Sequence, residues 1–269
     1  VVGATAAANM NAGADIGGTS GATGNTITNY GTTGTFSAYQ NVSGTVNGIL
    51  VRNTTAINIS YNTVTSSVGG VTAGTLNGIQ VPAFSVTPTG TFTNNYNNNN
   101  ISLRSAVAAG AMNGINIGSA TATVTSTVNI NNNNFGPNYG HTVVASGTLT
   151  FISYANGATA LTTNINNNTF TNITVNTTGS VTFIARSGNM PTGSSENVNN
   201  NAIVTQFTKT GSAFLIMGIV GGAILPPLYG KISELINNKQ LAYLIMIPAY
   251  LYILYYAAII VFKSRLSAQ

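Results

Sequence analysis

Apolar and polar residues alternate in short stretches along most of the first 205 positions. Gly70-Val71-Thr72, Thr121-Ala122-Thr123-Val124-Thr125 and Gly179-Ser180-Val181-Thr182-Phe183-Ile184 are examples. A period of two, carried by Val, Ile and Thr and punctuated by Gly and Asn, predicts short strands joined by turns.

The strands recur at a fixed interval. Five segments share an Asn-apolar-x-x-Asn-x-apolar pattern: Asn58-Ile59 to Val64, Asn95-Tyr96 to Ile101, Asn129-Ile130 to Phe135, Asn164-Ile165 to Phe170, and Asn197-Val198 to Ile203. Their starts are separated by 37, 34, 35 and 33 residues, and a partial copy, Asn25-Thr26-Ile27, lies 37 residues before Asn62. A second element, Asn47-Gly48-Ile49, Asn77-Gly78-Ile79 and Asn113-Gly114-Ile115, recurs between them. A repeat of about 35 residues with two or three strands predicts one coil of a parallel β-solenoid, because a lone coil cannot bury its apolar row and stacked coils can. Stacking sets Ile59, Tyr96, Ile130, Ile165 and Val198 above one another, about 4.8 Å apart. It stacks Asn62, Asn99, Asn133, Asn168 and Asn201 as well, a structural Asn ladder. Asn suits that place because it tolerates the left-handed backbone of a sharp corner and its amide both donates and accepts. The pattern resembles the right-handed parallel β-helix family, whose coils read Asn-Ile-x-x-Asn-x-Phe, over residues 20–205. The competing reading is a disordered, prion-like Asn/Thr tract, suggested by the runs Asn97 to Asn100 and Asn131 to Asn134. An apolar residue kept at the same offset in five copies opposes it.

Composition narrows the function. Of 269 residues eleven are charged, with one histidine (His141) and no cysteine or tryptophan. That excludes disulfide frameworks, Cys-based zinc sites and Cys nucleophiles. Arg52, Arg104 and Arg186 are isolated, whereas nucleic-acid binding calls for clustered cations, so no nucleic-acid partner is expected. Up to residue 205 the acids are Asp15 and Glu196. They stand about five coils, roughly 24 Å, apart along the stack, and glycoside hydrolysis needs two carboxyls within about 9.5 Å. Neither a calcium-binding carboxylate cluster nor a carboxylate to orient His141 is in reach. His141, after Gly140 in a Gly/Pro/Asn turn, is expected to be a solvated loop residue. The solenoid is therefore expected not to be an enzyme and to need no cofactor. Its neutral hydroxyl- and amide-rich surface suits glycan contact, adhesion or a spacer. Sequons at Asn41, Asn53, Asn172 and Asn176 are expected by chance in so Asn-rich a chain.

Near Gln206 the composition changes. Residues 206–269 carry four of the five net positive charges and two long apolar stretches. The 21 residues from Thr210 to Gly230 and the 23 from Gln240 to Phe262 hold no charge. As helices they reach about 32 and 35 Å, enough to cross a hydrocarbon core of about 30 Å. The sequence therefore predicts two domains: a parallel β-helix over 1–205 and a transmembrane helical hairpin over 206–269, with helices about 211–230 and 240–262. Gly218 and Gly222 fall on one face of the first helix and permit close helix packing. Pro226, Pro227 and Pro248 predict kinks, and the tyrosines from Tyr243 to Tyr256 include interfacial ones.

The run Lys209-Thr210-Gly211-Ser212-Ala213, Met217, Gly221-Gly222-Ala223-Ile224-Leu225-Pro226, Tyr229-Gly230 and Ser233-Glu234 resembles the penultimate helix of fucose-permease-like sugar/proton symporters of the major facilitator superfamily. Leu241-Ala242-Tyr243, Pro248, Tyr252 and Lys263-Ser264-Arg265 resemble the last helix and tail. Glu234 stands where that family has Asp. The resemblance implies carbohydrate transport across a bacterial inner membrane by a bundle of twelve helices, with the bilayer and the other helices as partners. Two helices cannot form the midplane substrate site, and neither holds an ionisable group for a coupled proton, so no transport by this chain alone is expected. Sidedness is in conflict: the symporter topology puts the solenoid in the cytoplasm, while its composition looks like an exported surface protein. The sequence opens on Val without a charged start followed by an apolar run, so the expectation is either an N-terminus that lies outside it or no signal peptide. The expected function is therefore the truncated end of a carbohydrate/proton symporter fused behind a non-catalytic β-helix; the alternative is an exported surface or adhesion module anchored in the membrane by the hairpin.

Overall fold

In the computed structural model of the chain, the described residues are 2–3, 10–31, 44–67, 74–85, 88, 90–118, 126–155, 161–188 and 190–210, with Lys231 and Glu234. The chain divides into two compact units, Val1–Gly211 and Ser212–Gln269.

The first unit is a parallel β-solenoid. Each coil lays one strand in each of three six-stranded sheets, so strands of one sheet come from successive coils. The first sheet holds Val2–Gly3, Val46–Arg52, Leu76–Val81, Met112–Ile117, Leu149–Ala155 and Val181–Ser187. The second holds Ala14–Ile16, Ile57–Ser60, Thr93–Asn97, Ser126–Asn131, Leu161–Asn166 and Ser195–Asn199. The third holds Thr26–Tyr30, Thr63–Ser66, Asn100–Ser102, Asn134–Phe135, Thr169–Asn176 and Ala202–Thr210. A two-stranded sheet, Arg104–Ser105 with Gly140–His141, sits off this triangle. Ladders begin with Val2–Gly3 and Ala14–Ile16, before the stretch that the β-helix resemblance covers. The composition change near Gln206 falls inside the last strand, which pairs with Thr169–Asn176 as far as Thr210.

Register follows the repeat. Ile59 lies opposite Tyr96, and Ile130, Ile165 and Val198 align in turn. In-register parallel strands keep each column on one side of its sheet, so the apolar columns close into a single core. Burying each Ile or Phe contributes about 1.5–3 kcal/mol. The Asn-Gly-Ile element explains itself here. Gly114 faces Phe135 and Gly78 faces Ile101, and a Cβ on either would come within 2.6 Å and 2.9 Å of those side chains. In the later coils Phe151 takes the glycine's place in the register and stacks on Phe183 at 5.0 Å, while Phe135 stacks on Phe170 at 5.3 Å. Glycine on one sheet thus makes room for bulk on another, and in the aromatic half both sheets carry rings that pack on each other, Phe151 on Phe170 at 5.1 Å and Phe183 on Phe207 at 5.3 Å.

In the second unit Lys231 and Glu234 are helical, with their charged ends 3.7 Å apart. No helix among the described residues is long and apolar enough to cross a membrane. The predicted spans 211–230 and 240–262, with Gly218 and Gly222, lie outside the described residues.

Candidate functional site

The five predicted ladder asparagines form one column at the corner between the second and third sheets. Asn62, Asn99, Asn133 and Asn168 are fully buried. Each Oδ1 accepts two bonds from the coil before it. Asn133 Oδ1, for example, accepts from the backbone N–H and the Nδ2 of Asn99, both at 3.0 Å. Asn168 Oδ1 accepts the same pair from Asn133 at 3.0 Å, and Asn201 Oδ1 from Asn168 at 3.0 and 2.8 Å. The second Nδ2 proton closes the corner: Asn99 donates to the Ile59 carbonyl at 2.9 Å, Asn133 to Tyr96 at 2.7 Å and Asn168 to Ile130 at 2.8 Å. Both donors and the acceptor of each of the four buried amides are spent inside the protein, as burial requires.

One expectation about this column is corrected. The ladder asparagines are not the left-handed corner residues. The residue before each one is: Tyr61, Asn98, Asn132, Asn167 and Asn200, with φ between 55° and 62°. An inward amide has to come from a residue whose backbone continues the next strand, so the turn is made one residue earlier. A further residue back, Oδ1 of Asn97 accepts the backbone N–H of Asn131 at 2.8 Å, and Oδ1 of Asn131 accepts that of Asn166 at 2.9 Å. The side chain there replaces the carbonyl that the turn has carried away.

Two residues further back lies a fourth column, on the outside of the second sheet. Nδ2 of Asn129 donates to Asn95 Oδ1 at 2.8 Å, Asn164 to Asn129 at 2.8 Å and Asn197 to Asn164 at 2.9 Å. Asn58 begins the column and donates to Asp15 Oδ1 at 2.7 Å. Asn134, just past the ladder residue, accepts from Thr169 and Thr171 Oγ1 at 3.0 and 2.9 Å. The run Asn129 to Asn134 therefore gives each of its five asparagines a separate task, and its composition is not low complexity in structural terms.

The titratable groups are scattered. Asp15 and Glu196 belong to the first and last strands of the second sheet. Glu196 Oε2 lies 3.3 Å from Arg186 Nε. Burial, then the neighbouring Glu196 carboxylate, push the Tyr154 hydroxyl well up, and Arg186 opposes them. That hydroxyl stays outside hydrogen-bonding geometry with either.

His141 is corrected too: it is buried, in the small two-stranded sheet, and neither ring nitrogen has a hydrogen-bond partner. Burial lowers its pKa, and the nearby Val107 backbone opposes that weakly from outside hydrogen-bonding geometry. The Gly/Pro/Asn setting misled because the loop folds back on the coil, with Gly147 N–H bonded to the Ala108 carbonyl at 3.2 Å. Among the described residues no three of His, Cys, Asp and Glu come together as a metal site would need. Of the sequons, Asn53 is buried and its Oδ1 accepts from Ser85 N and Oγ at 3.0 and 2.8 Å, and Asn172 is exposed. The chain matches no protein-family model, no curated protein and no solved structure.

Proposed function

We propose that the chain is a non-catalytic β-helix module that works by surface contact and is held at a membrane through residues 206–269. The observation that carries this reading is the fate of the polar side chains. Inner amides are consumed by the corners, the carboxylates sit on rungs at opposite ends of one sheet, and His141 is packed away without a carboxylate beside it. What faces water over the central coils is an ordered array of hydroxyls and amides, suited to adhesion and to carbohydrate. The apolar lengths of residues 210–230 and 240–262 support the anchor.

A second reading rests on the run from Lys209 to Glu234: the tail is the truncated end of a sugar/proton symporter from an inner membrane, fused behind the solenoid and unable to transport alone. It places the solenoid in the cytoplasm, so one experiment separates the two. Trypsin is added to intact cells, spheroplasts and lysed spheroplasts, and cleavage after Arg186 is followed. Cleavage before lysis is the result expected of the surface module. Cleavage only after lysis overturns it in favour of the symporter topology, and release of the chain into a carbonate-washed supernatant overturns the anchor.

A further inference from the structure

Four consecutive strands of the second sheet, from Thr93–Asn97 to Ser195–Asn199, turn the same series outward: a hydroxyl, an amide, an amide. The register aligns these residues into three columns. Rungs repeat at about 4.8 Å and columns at about 6.7 Å, two residues along a strand. None of the twelve outward residues is charged or aromatic.

In the middle column, from Asn95 to Asn197, the amides are already joined to one another at 2.8–2.9 Å. An amide has two N–H donors and two acceptor lone pairs. The ladder uses one of each, which leaves every inner rung one donor and one acceptor at an orientation fixed before any ligand arrives. A column of amides linked by N–H···O=C bonds repeats at about 4.8 Å whichever molecule carries it, because hydrogen-bond length and amide width set the interval. Stacked acetamido groups in a crystalline polysaccharide make such a column.

We propose that this face binds the ordered surface of an uncharged, acetamido-bearing polysaccharide, a chitin-like lattice, matching it amide for amide along the rungs. The absence of charge on these four rungs, with the outward Asp15 two rungs before them, selects a neutral ligand. The absence of an outward aromatic removes the platform on which a single soluble sugar chain would stack, so affinity must come from many parallel weak bonds to a solid. The inference rests on the solenoid being a contact module, and its failure is distinguishable: the protease pattern reports on the module's exposure, retention on polysaccharide on this face alone.

The test uses the full chain in detergent micelles, sedimented with microcrystalline chitin and, in parallel, with microcrystalline cellulose, which offers hydroxyls without amides. Depletion by chitin at least fivefold above that by cellulose is expected. The Asn129→Asp/Asn164→Asp pair keeps side-chain shape, removes donors and adds charge, and lowers retention at least tenfold. Thr127→Val/Thr162→Val, which keeps the β-branched shape, lowers it several-fold with an unchanged far-ultraviolet spectrum and decides the matter if the aspartate pair fails to fold. Asn113→Ser, on the outside of the first sheet, leaves retention as it was. Equal depletion by chitin and cellulose overturns the ligand class. Retention unaffected in the variants overturns the face, and uptake into growing ice without retention on chitin replaces the ligand altogether.

Discussion

Asn133→Ala removes the middle rung of the inner ladder. The residue is fully buried and makes four side-chain bonds. The substitution strands the Asn99 backbone N–H, one Asn99 Nδ2 proton and the Tyr96 carbonyl, all at the closed corner where water has no ready access. Each orphaned buried group costs about 1–3 kcal/mol, and partial relaxation across shared neighbours brings the total to about 4 kcal/mol. Against a whole-domain stability of about 5–15 kcal/mol this is a large fraction. Urea denaturation of the chain in micelles, followed by tyrosine fluorescence and by the sheet signal in circular dichroism, reads it out. With an m-value of about 3 kcal/mol/M the midpoint falls by about 1.3 M. Since each coil contacts its neighbours alone, the broken rung also separates the two signals into non-coincident transitions. Asn134→Ala is the control: it faces outward, its partners Thr169 and Thr171 can bond water, and about 0.5 kcal/mol is expected. A midpoint shift below about 0.3 M for Asn133→Ala, or one no larger than the control's, would refute the ladder as the element that holds the corners.

Tyr61 holds the left-handed position that Asn occupies in the next four coils, so Tyr61→Asn relieves backbone strain and raises stability by about 0.5–1 kcal/mol, seen as a higher urea midpoint. Gly114→Ala puts a Cβ 2.5 Å from the Phe151 carbonyl oxygen and 2.6 Å from the Phe135 ring, and the backbone shift it forces lowers stability by about 2–3 kcal/mol in the same assay. His141 titrates below its ordinary range in the folded chain. The unfolded chain therefore takes up the proton first as pH falls, and stability that is complete above about pH 6.5 is lost towards the folded pKa. Urea midpoints at pH 7.5, 6 and 5 should decline, and the His141→Leu chain should lose the part of the decline that begins near pH 6.5. Arg186→Ala breaks a half-exposed ion pair and lowers stability by less than about 1 kcal/mol, measured by the same midpoint.

The coil was legible because its signal is periodic. An apolar residue after Asn58, Asn95, Asn129, Asn164 and Asn197 at nearly constant spacing forces in-register stacking, and the inner ladder follows from the second Asn of each copy. The division of labour inside an Asn run was not legible. Asn131, Asn132 and Asn133 are chemically identical, and only the turn geometry decides which one caps, which one turns left-handed and which one points inward. Tyr61 shows that the turn forms at this place without Asn, at the cost in strain that Asn avoids. The outer amide column is illegible for a related reason: the spacing stacks Asn95 to Asn197, but the same stack is compatible with side chains bonded to one another or to water. His141 was misplaced because turn residues describe a local path and say nothing of what folds over it.

The last described coil departs from the neutral pattern of the rungs before it. Every rung presents an open strand edge to the next, and a spare coil of a second copy could continue the stack. Along the first sheet one core column reads Val81, Ile117, Tyr154, then Arg186. Along the second a core column passes from Val128 to Thr163 and then to Glu196. In-register pairing sends the two charges inward, where they meet at 3.3 Å with 38% and 24% of their side-chain surface still exposed. A coil laid on top would bury that pair, and desolvating two charges costs more than their attraction returns unless the geometry is excellent and further hydrogen bonds are supplied. Two of the first 205 residues' five charges are thus placed where they oppose the continuation that the other rungs invite. The Asn ladders make stacking favourable at every interval, and this inward pair sets a cost on stacking at the last described one.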